Sequence, residues 1–206
     1  MSIVKLNNNA VKNATAFGSI TGLGDLALIK KITASSSASI SFVDGASSVV
    51  LDNTYREYIF FLNNIHPATD ATEFQFNMSV DTGSNYNVVK TTTYFRGAHA
   101  EGDQTPDFTY VTGRDLAQGT GDQILASTVD ADADSATSGY LHLFEPSSTT
   151  FVKHFVSATN TVENGAITCN AFISGYANST SAVDAVIFKM ASGNIDAGSI
   201  SLYGVN

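Results

Sequence analysis

This chain is short of cysteine, tryptophan, basic side chains and long apolar runs, and each shortage removes a class of protein. Its one cysteine, Cys169, can form neither an internal disulfide nor a multi-cysteine zinc site. It stands in Ile167-Thr168-Cys169-Asn170-Ala171-Phe172-Ile173, on the parity of Ile167, Ala171 and Ile173, and so reads as a small buried hydrophobe. The ten Lys and Arg residues are outnumbered by nineteen Asp and Glu, for a net charge of −9. From Gly97 to Ser147 nine acidic residues face the single Arg114. A nucleic-acid groove needs clustered cations to displace counterions from phosphates, so DNA and RNA are not expected partners. No apolar run approaches the roughly 18 residues of a membrane helix, so no membrane insertion is expected. Asn7-Asn8-Asn9 interrupts the amino terminus before a signal-peptide core could form. Synthesis and assembly in a cytosol are therefore expected.

What the chain does have is alternation. In Glu73-Phe74-Gln75-Phe76-Asn77-Met78-Ser79-Val80, apolar and polar residues take turns. Ile40/Phe42 against Ser39/Ser41, and Ile200/Leu202 against Ser199/Ser201, repeat the pattern far apart. Successive strand residues point to opposite faces, so each segment has one dry and one wet side. Turn-forming residues separate such segments at roughly 10–16-residue intervals, the signature of an all-β antiparallel sandwich. Strands are expected at about 26–33, 38–43, 55–63, 73–80, 86–95, 107–112, 139–144, 151–157, 167–176, 183–190 and 198–203. Residues 97–138, rich in Gly and Asp, read as a long loop or a pair of weak strands. Only Arg114 to Ser127 is compatible with a helical turn or two, against Gly119 and Gly121.

At 206 residues the chain is most naturally one domain with an appendage. Residues 1–24 are too sparse in apolar side chains to hold a core and read as an extended docking arm, with 25–206 as the sandwich. Ile3, Val4, Leu6, Phe17 and Ile20 are the arm's candidate attachment residues.

Motifs for chemistry are missing. There is no G-x-S-x-G elbow, no phosphate loop and no H-E-x-x-H pair. His66, His99, His142 and His154 are scattered, although His142 and His154 fall on strands that could be neighbours. Asp130, Asp132 and Asp134 begin like a calcium loop, but position six is Ser135 and position twelve is Leu141, where Gly and Glu belong. They remain the candidate metal ligands. Glu101 with Glu145 or Asp107 would be the loosest of glycosidase pairs. No enzyme activity and no cofactor are expected. Tyr86, Tyr94, Tyr110, Tyr140, Tyr176 and Tyr203 could stack on sugar, although cross-strand packing explains tyrosines as well and tryptophan is absent.

Several stretches in order carry a resemblance. They are Ser2-Ile3-Val4-Lys5-Leu6-Asn7-Asn8 and Ala16-Phe17-Gly18-Ser19-Ile20, then Tyr55-Arg56-Glu57-Tyr58-Ile59-Phe60 with Asn64-Ile65-His66-Pro67-Ala68-Thr69-Asp70. Gly139-Tyr140-Leu141-His142-Leu143-Phe144-Glu145-Pro146-Ser147-Ser148, Val152-Lys153-His154-Phe155 and Phe188-Lys189-Met190-Ala191-Ser192-Gly193-Asn194-Ile195-Asp196-Ala197-Gly198 complete it. Together they resemble virion structural proteins of tailed phages infecting marine bacteria, cyanophages included. The resemblance implies a jelly-roll module on the virion exterior, usually trimeric, in a tail fibre or as head decoration. A tail-fibre, receptor-binding component attached through its amino-terminal arm is the leading expectation. A capsid decoration protein and a carbohydrate-binding module are the alternatives. The implied partners are two further copies of the chain, tail or major capsid protein, and host surface glycan. The apolar carboxy-terminal segment, Val183 to Met190 with Ile200, Leu202, Tyr203 and Val205, is expected to bury edges against symmetry mates.

Overall fold

The computed structural model describes residues 26–104 and 106–205. Among them there are twelve strands and no helix: β1 (Leu26–Thr33), β2 (Ile40–Val43), β3 (Glu57–Pro67), β4 (Thr72–Ser79), β5 (Lys90–Ala100), β6 (Asp107–Tyr110), β7 (Gln123–Val129), β8 (Thr137–Phe144), β9 (Lys153–Glu163), β10 (Ile167–Ala177), β11 (Ala185–Met190) and β12 (Ile195–Val205). Every pairing is antiparallel.

The strands form two layers. The long sheet runs β1-β12-β3-β8-β9-β10-β5-β6, and the short one runs β2-β11-β4-β7. A single register pair, Val129 with Glu163, joins them. Without β5, β6, β9 and β10, the orders reduce to 1-12-3-8 and 2-11-4-7. That is the eight-strand jelly-roll arrangement, in which each sheet alternates strands from the two ends of the chain. The other four strands enter as two hairpin excursions, one between β4 and β7 and one between β8 and β11. They pair with each other and extend the long sheet past β8.

Between the layers of the jelly roll lies a phenylalanine cluster. Phe188 is its hub, with ring centroids 5.3–6.4 Å from Phe42, Phe60, Phe74 and Phe76. All five are essentially fully buried. Phe74, Phe76 and Met78 of β4 come from the alternation that sequence shows most clearly, and they face inward together. Cys169 is buried on the inner parity of β10 with Ala171 and Ile173, as its neighbours imply.

Of the two readings of residues 97–138, the structure takes the strands: the segment holds the end of β5, β6 within the expected 107–112, β7, which no expected strand covers, and the start of β8, and Arg114 to Ser127 contains no helix. The inward side chains of β7 include Gln123 and Ser127 as well as Leu125 and Val129, so no hydrophobic alternation marks the strand. The carboxy-terminal apolar segment also has a different destination. Val183, Val186, Phe188, Met190, Ile200 and Leu202 fill the chain's own core, while Tyr203 and Val205 are half-buried.

A candidate binding face on the long sheet

The outward residues of β3, β8, β9, β10, β5 and β6 lie in register. Phe61 stands opposite Tyr140, Tyr140 opposite Ala158, and Ala158 opposite Phe172. Phe172 faces Phe95, which faces Tyr110. A row of five aromatic rings with one alanine gap therefore crosses six strands. The Phe95 and Phe172 rings stack at 5.3 Å, and Phe108 meets Phe95 edge-on at 6.0 Å. Beside the row, Tyr203 packs on Phe61 with centroids 5.5 Å apart. Tyr140 and Phe172 are 38 % exposed, Tyr110 48 % and Phe108 76 %. Ala158 floors a hollow of about 150 Å³ between Tyr140, Val156, Phe95 and Phe172.

Charge is almost absent here. Among the described outward residues of these six strands, Glu57 is the one Asp or Glu, and there is no Lys or Arg. Glu57 itself contacts His142 Nε2 at 2.9 Å. The flanking residues are Thr91, Thr93, Asn160, Thr168, Asn170 and Ser174. At the β6 end Asp115, from the β6–β7 connection, accepts the Tyr110 hydroxyl at 2.6 Å; elsewhere hydroxyls and amides around exposed rings make a surface that can stack and hydrogen-bond. Exposed contiguous apolar area of this kind marks an interaction site.

The tyrosines sort accordingly. Tyr110, Tyr140, Tyr176 and Tyr203 belong to this face. Tyr94 points inward and is fully buried, and Tyr86 lies in the β4–β5 connection. Sequence reasoning missed Phe61, Phe95, Phe108 and Phe172. Their alternation is visible within each strand, but their row exists only through long-range register.

Of the other sequence candidates, Glu101, Asp130, Asp132 and Asp134 line one hollow of about 240 Å³, while Glu145 and Asp107 lie elsewhere. Asp130 is buried and caps the β7–β8 turn: its Oδ1 accepts the Asp132 N–H at 3.1 Å and its Oδ2 the Ser135 hydroxyl at 3.2 Å. Asp132 and Asp134 are exposed. Among the described residues, no three His, Cys, Asp or Glu side chains are grouped to hold a metal ion. Glu145 is engaged by Arg56 at 3.1 Å and Asp107 by Arg96 at 3.5 Å, while Glu101 sits beside the Asp130 turn. Each histidine keeps its own neighbour. His66 meets the Ser135 carbonyl, His99 meets Asp103, and His154 lies by the Tyr176 ring. The attachment residues Ile3, Val4, Leu6, Phe17 and Ile20 lie outside the described residues.

Comparison with family models, with characterised proteins and with solved structures finds no match for the chain.

Proposed function

We propose that this chain is a non-enzymatic structural protein of the exterior of a tailed-phage virion, serving in a tail fibre as a receptor-binding component. The observation that carries this reading is the exposed aromatic row of the long sheet, which is free of Lys and Arg and has carboxylates only at its margins, Glu57 and Asp115. Aromatic rings stack on the apolar faces of sugars, and flanking amides and hydroxyls bond their hydroxyl groups. The ligand class this favours is a neutral host-surface glycan. The jelly-roll order and the colinear resemblance to marine phage structural proteins support the virion setting. The scarcity of Lys and Arg agrees with it, since ten basic residues leave few trypsin sites on an exposed particle. In this reading the chain works as a homotrimer, anchored through residues 1–24 to tail or capsid protein.

Two measurements test the proposal. Quantitative mass spectrometry of purified virions should find the chain at tail-fibre copy number; copies comparable to the shell protein would make it a decoration protein instead. A glycan array probed with the full chain should give binding to neutral sugars that Tyr140→Ala and Phe172→Ala abolish. Glycan binding that survives both substitutions would remove this face from the function. Particles that still incorporate a chain lacking residues 1–24 would place the anchor elsewhere.

A further inference from the structure

The short sheet and the extended part of the long sheet meet at a buried lysine. Lys90 opens β5 and is fully buried. Its Nζ donates to Asn77 Oδ1 at 2.6 Å and to the Val88 carbonyl at 2.7 Å. Asn77, on β4, is 1 % exposed. The orientation of its amide is set by four bonds. Oδ1 accepts from Lys90 and from the Met78 N–H at 2.9 Å, while Nδ2 donates to the Thr120 carbonyl at 3.2 Å and to Asp122 Oδ1 at 2.9 Å. The other Asp122 oxygen holds Lys189 Nζ at 2.7 Å. Among the described residues the other buried lysine is Lys153, whose Nζ donates to the backbone carbonyls of Phe151 and Ser179.

We infer that Lys90 and Asn77 form an intramolecular isopeptide bond, assisted by Asp122. A primary amine held against the oxygen of a carboxamide is a short movement from the carbonyl carbon, and such fixed proximity replaces an improbable encounter. A lysine out of water is a better nucleophile because burial enlarges the share of its neutral form. Burial lowers Lys90 to about 8, opposed by the charge of Asp122. The lone pair of the neutral Nζ attacks Asn77 Cγ, and the Met78 N–H faces the oxygen on which negative charge develops. Asp122 takes a proton from the attacking nitrogen and passes it to Nδ2, which it already contacts. The Nζ–Cγ bond forms, the Cγ–Nδ2 bond breaks, and Nδ2 leaves as ammonia with both hydrogens it had and the one transferred. No atom changes oxidation state, no co-reactant is needed, and Asp122 ends as it began. The product is an amide that ties β4 of the short sheet to β5 of the long one and removes a buried titratable amine.

Intact mass and peptide mapping of the full chain test this. Folded wild-type protein should weigh one ammonia less than its sequence. Trypsin, which does not cut after an acylated lysine, should release Glu57 to Arg96 uncut at Lys90. Lys90→Arg, Asn77→Ala and Asp122→Asn should each carry the full sequence mass. Wild-type protein of full mass that trypsin cuts after Lys90 would overturn the inference. So would an ammonia loss that persists in Lys90→Arg, since a cyclised asparagine also sheds ammonia yet leaves Lys90 cleavable. The wild-type peptide map decides the matter even where a variant fails to fold.

Discussion

The two ends of the long sheet have opposite polarity. In the jelly-roll half the interior is a phenylalanine cluster around Phe188. In the half built by β9, β10 and β5 against β7, much of the interior is polar and most of it bonded, the Tyr94 hydroxyl and Arg96 Nε being the buried side-chain atoms without a partner among the described residues. The Thr159 hydroxyl donates to the Leu125 carbonyl, the Thr92 hydroxyl to Gln123, and the Ser127 hydroxyl to Glu163, each at 2.6 Å. Arg96 adds an ion pair to Glu163 at 3.1 Å. The outside of this same half carries Phe95, Phe172, Phe108 and Tyr110. A buried polar group must be paired to be tolerated, and an exposed ring forfeits the gain of burial. One half therefore buries its aromatic rings, while the other pairs polar groups inside and leaves its rings exposed outside.

The largest expected break in this contrast is Phe188→Ala. It should destabilise the fold by about 3–5 kcal/mol in urea titration, the usual cost of emptying a buried aromatic site. Phe172→Ala, on the outer face, should cost less than about 1 kcal/mol in the same titration. Equal losses would mean that the outer row is structural. Glu163→Ala should fall between them, at about 2–3 kcal/mol, because it strands Arg96 and the Ser127 hydroxyl in the polar interior.

A smaller effect separates free from bonded Lys90. An amine with a folded value of about 8 against an ordinary 10.5 binds fewer protons folded than unfolded between those limits. Stability then rises with pH across that window and has lost this contribution below it. Asp122→Asn leaves the amine free and removes the charge that helps hold its proton, so its folded value falls further below 10.5, and the variant should melt at higher temperature as pH goes from 8 to 10, beyond any change in the wild type. Parallel melting profiles would contradict a bonded lysine. The smallest effect concerns Cys169. Burial, reinforced by nearby Glu163, pushes its thiol up to about 11. A thiol reagent at pH 8 should leave the native protein untouched and label it once denatured; rapid native labelling would mean that the β9–β10–β5 half opens readily.

How much of this could be read from the chain depended on the range of the cause. Phe74, Phe76 and Met78 announced their face because strand parity is local. The all-β antiparallel class followed from many such segments. β7 stayed hidden because Gln123 and Ser127 are inward yet polar, and their partners on β5 and β9 are distant in sequence. The aromatic row was hidden for a related reason: only register across six strands aligns Tyr140 with Phe172. Lys90 carried no local sign of burial, which depends on Gly119 to Asp122 covering Asn77. Asp130, which looked like the start of a ligand loop, turned out to cap a turn.

The strand order has a kinetic consequence. β1 pairs with β12, and β12 also pairs with β3, from Leu26 against Val205 to Glu57 against Val205. The jelly-roll pairings therefore span large sequence separations, unlike the local β5–β6 and β9–β10 hairpins, and the entropy of closing those loops must be met before the contacts reward it. Folding should be slow, on the order of milliseconds to seconds or longer. Until β12 enters its slot, both β1 and β3 present open edges, and that waiting chain is where misassembly would begin.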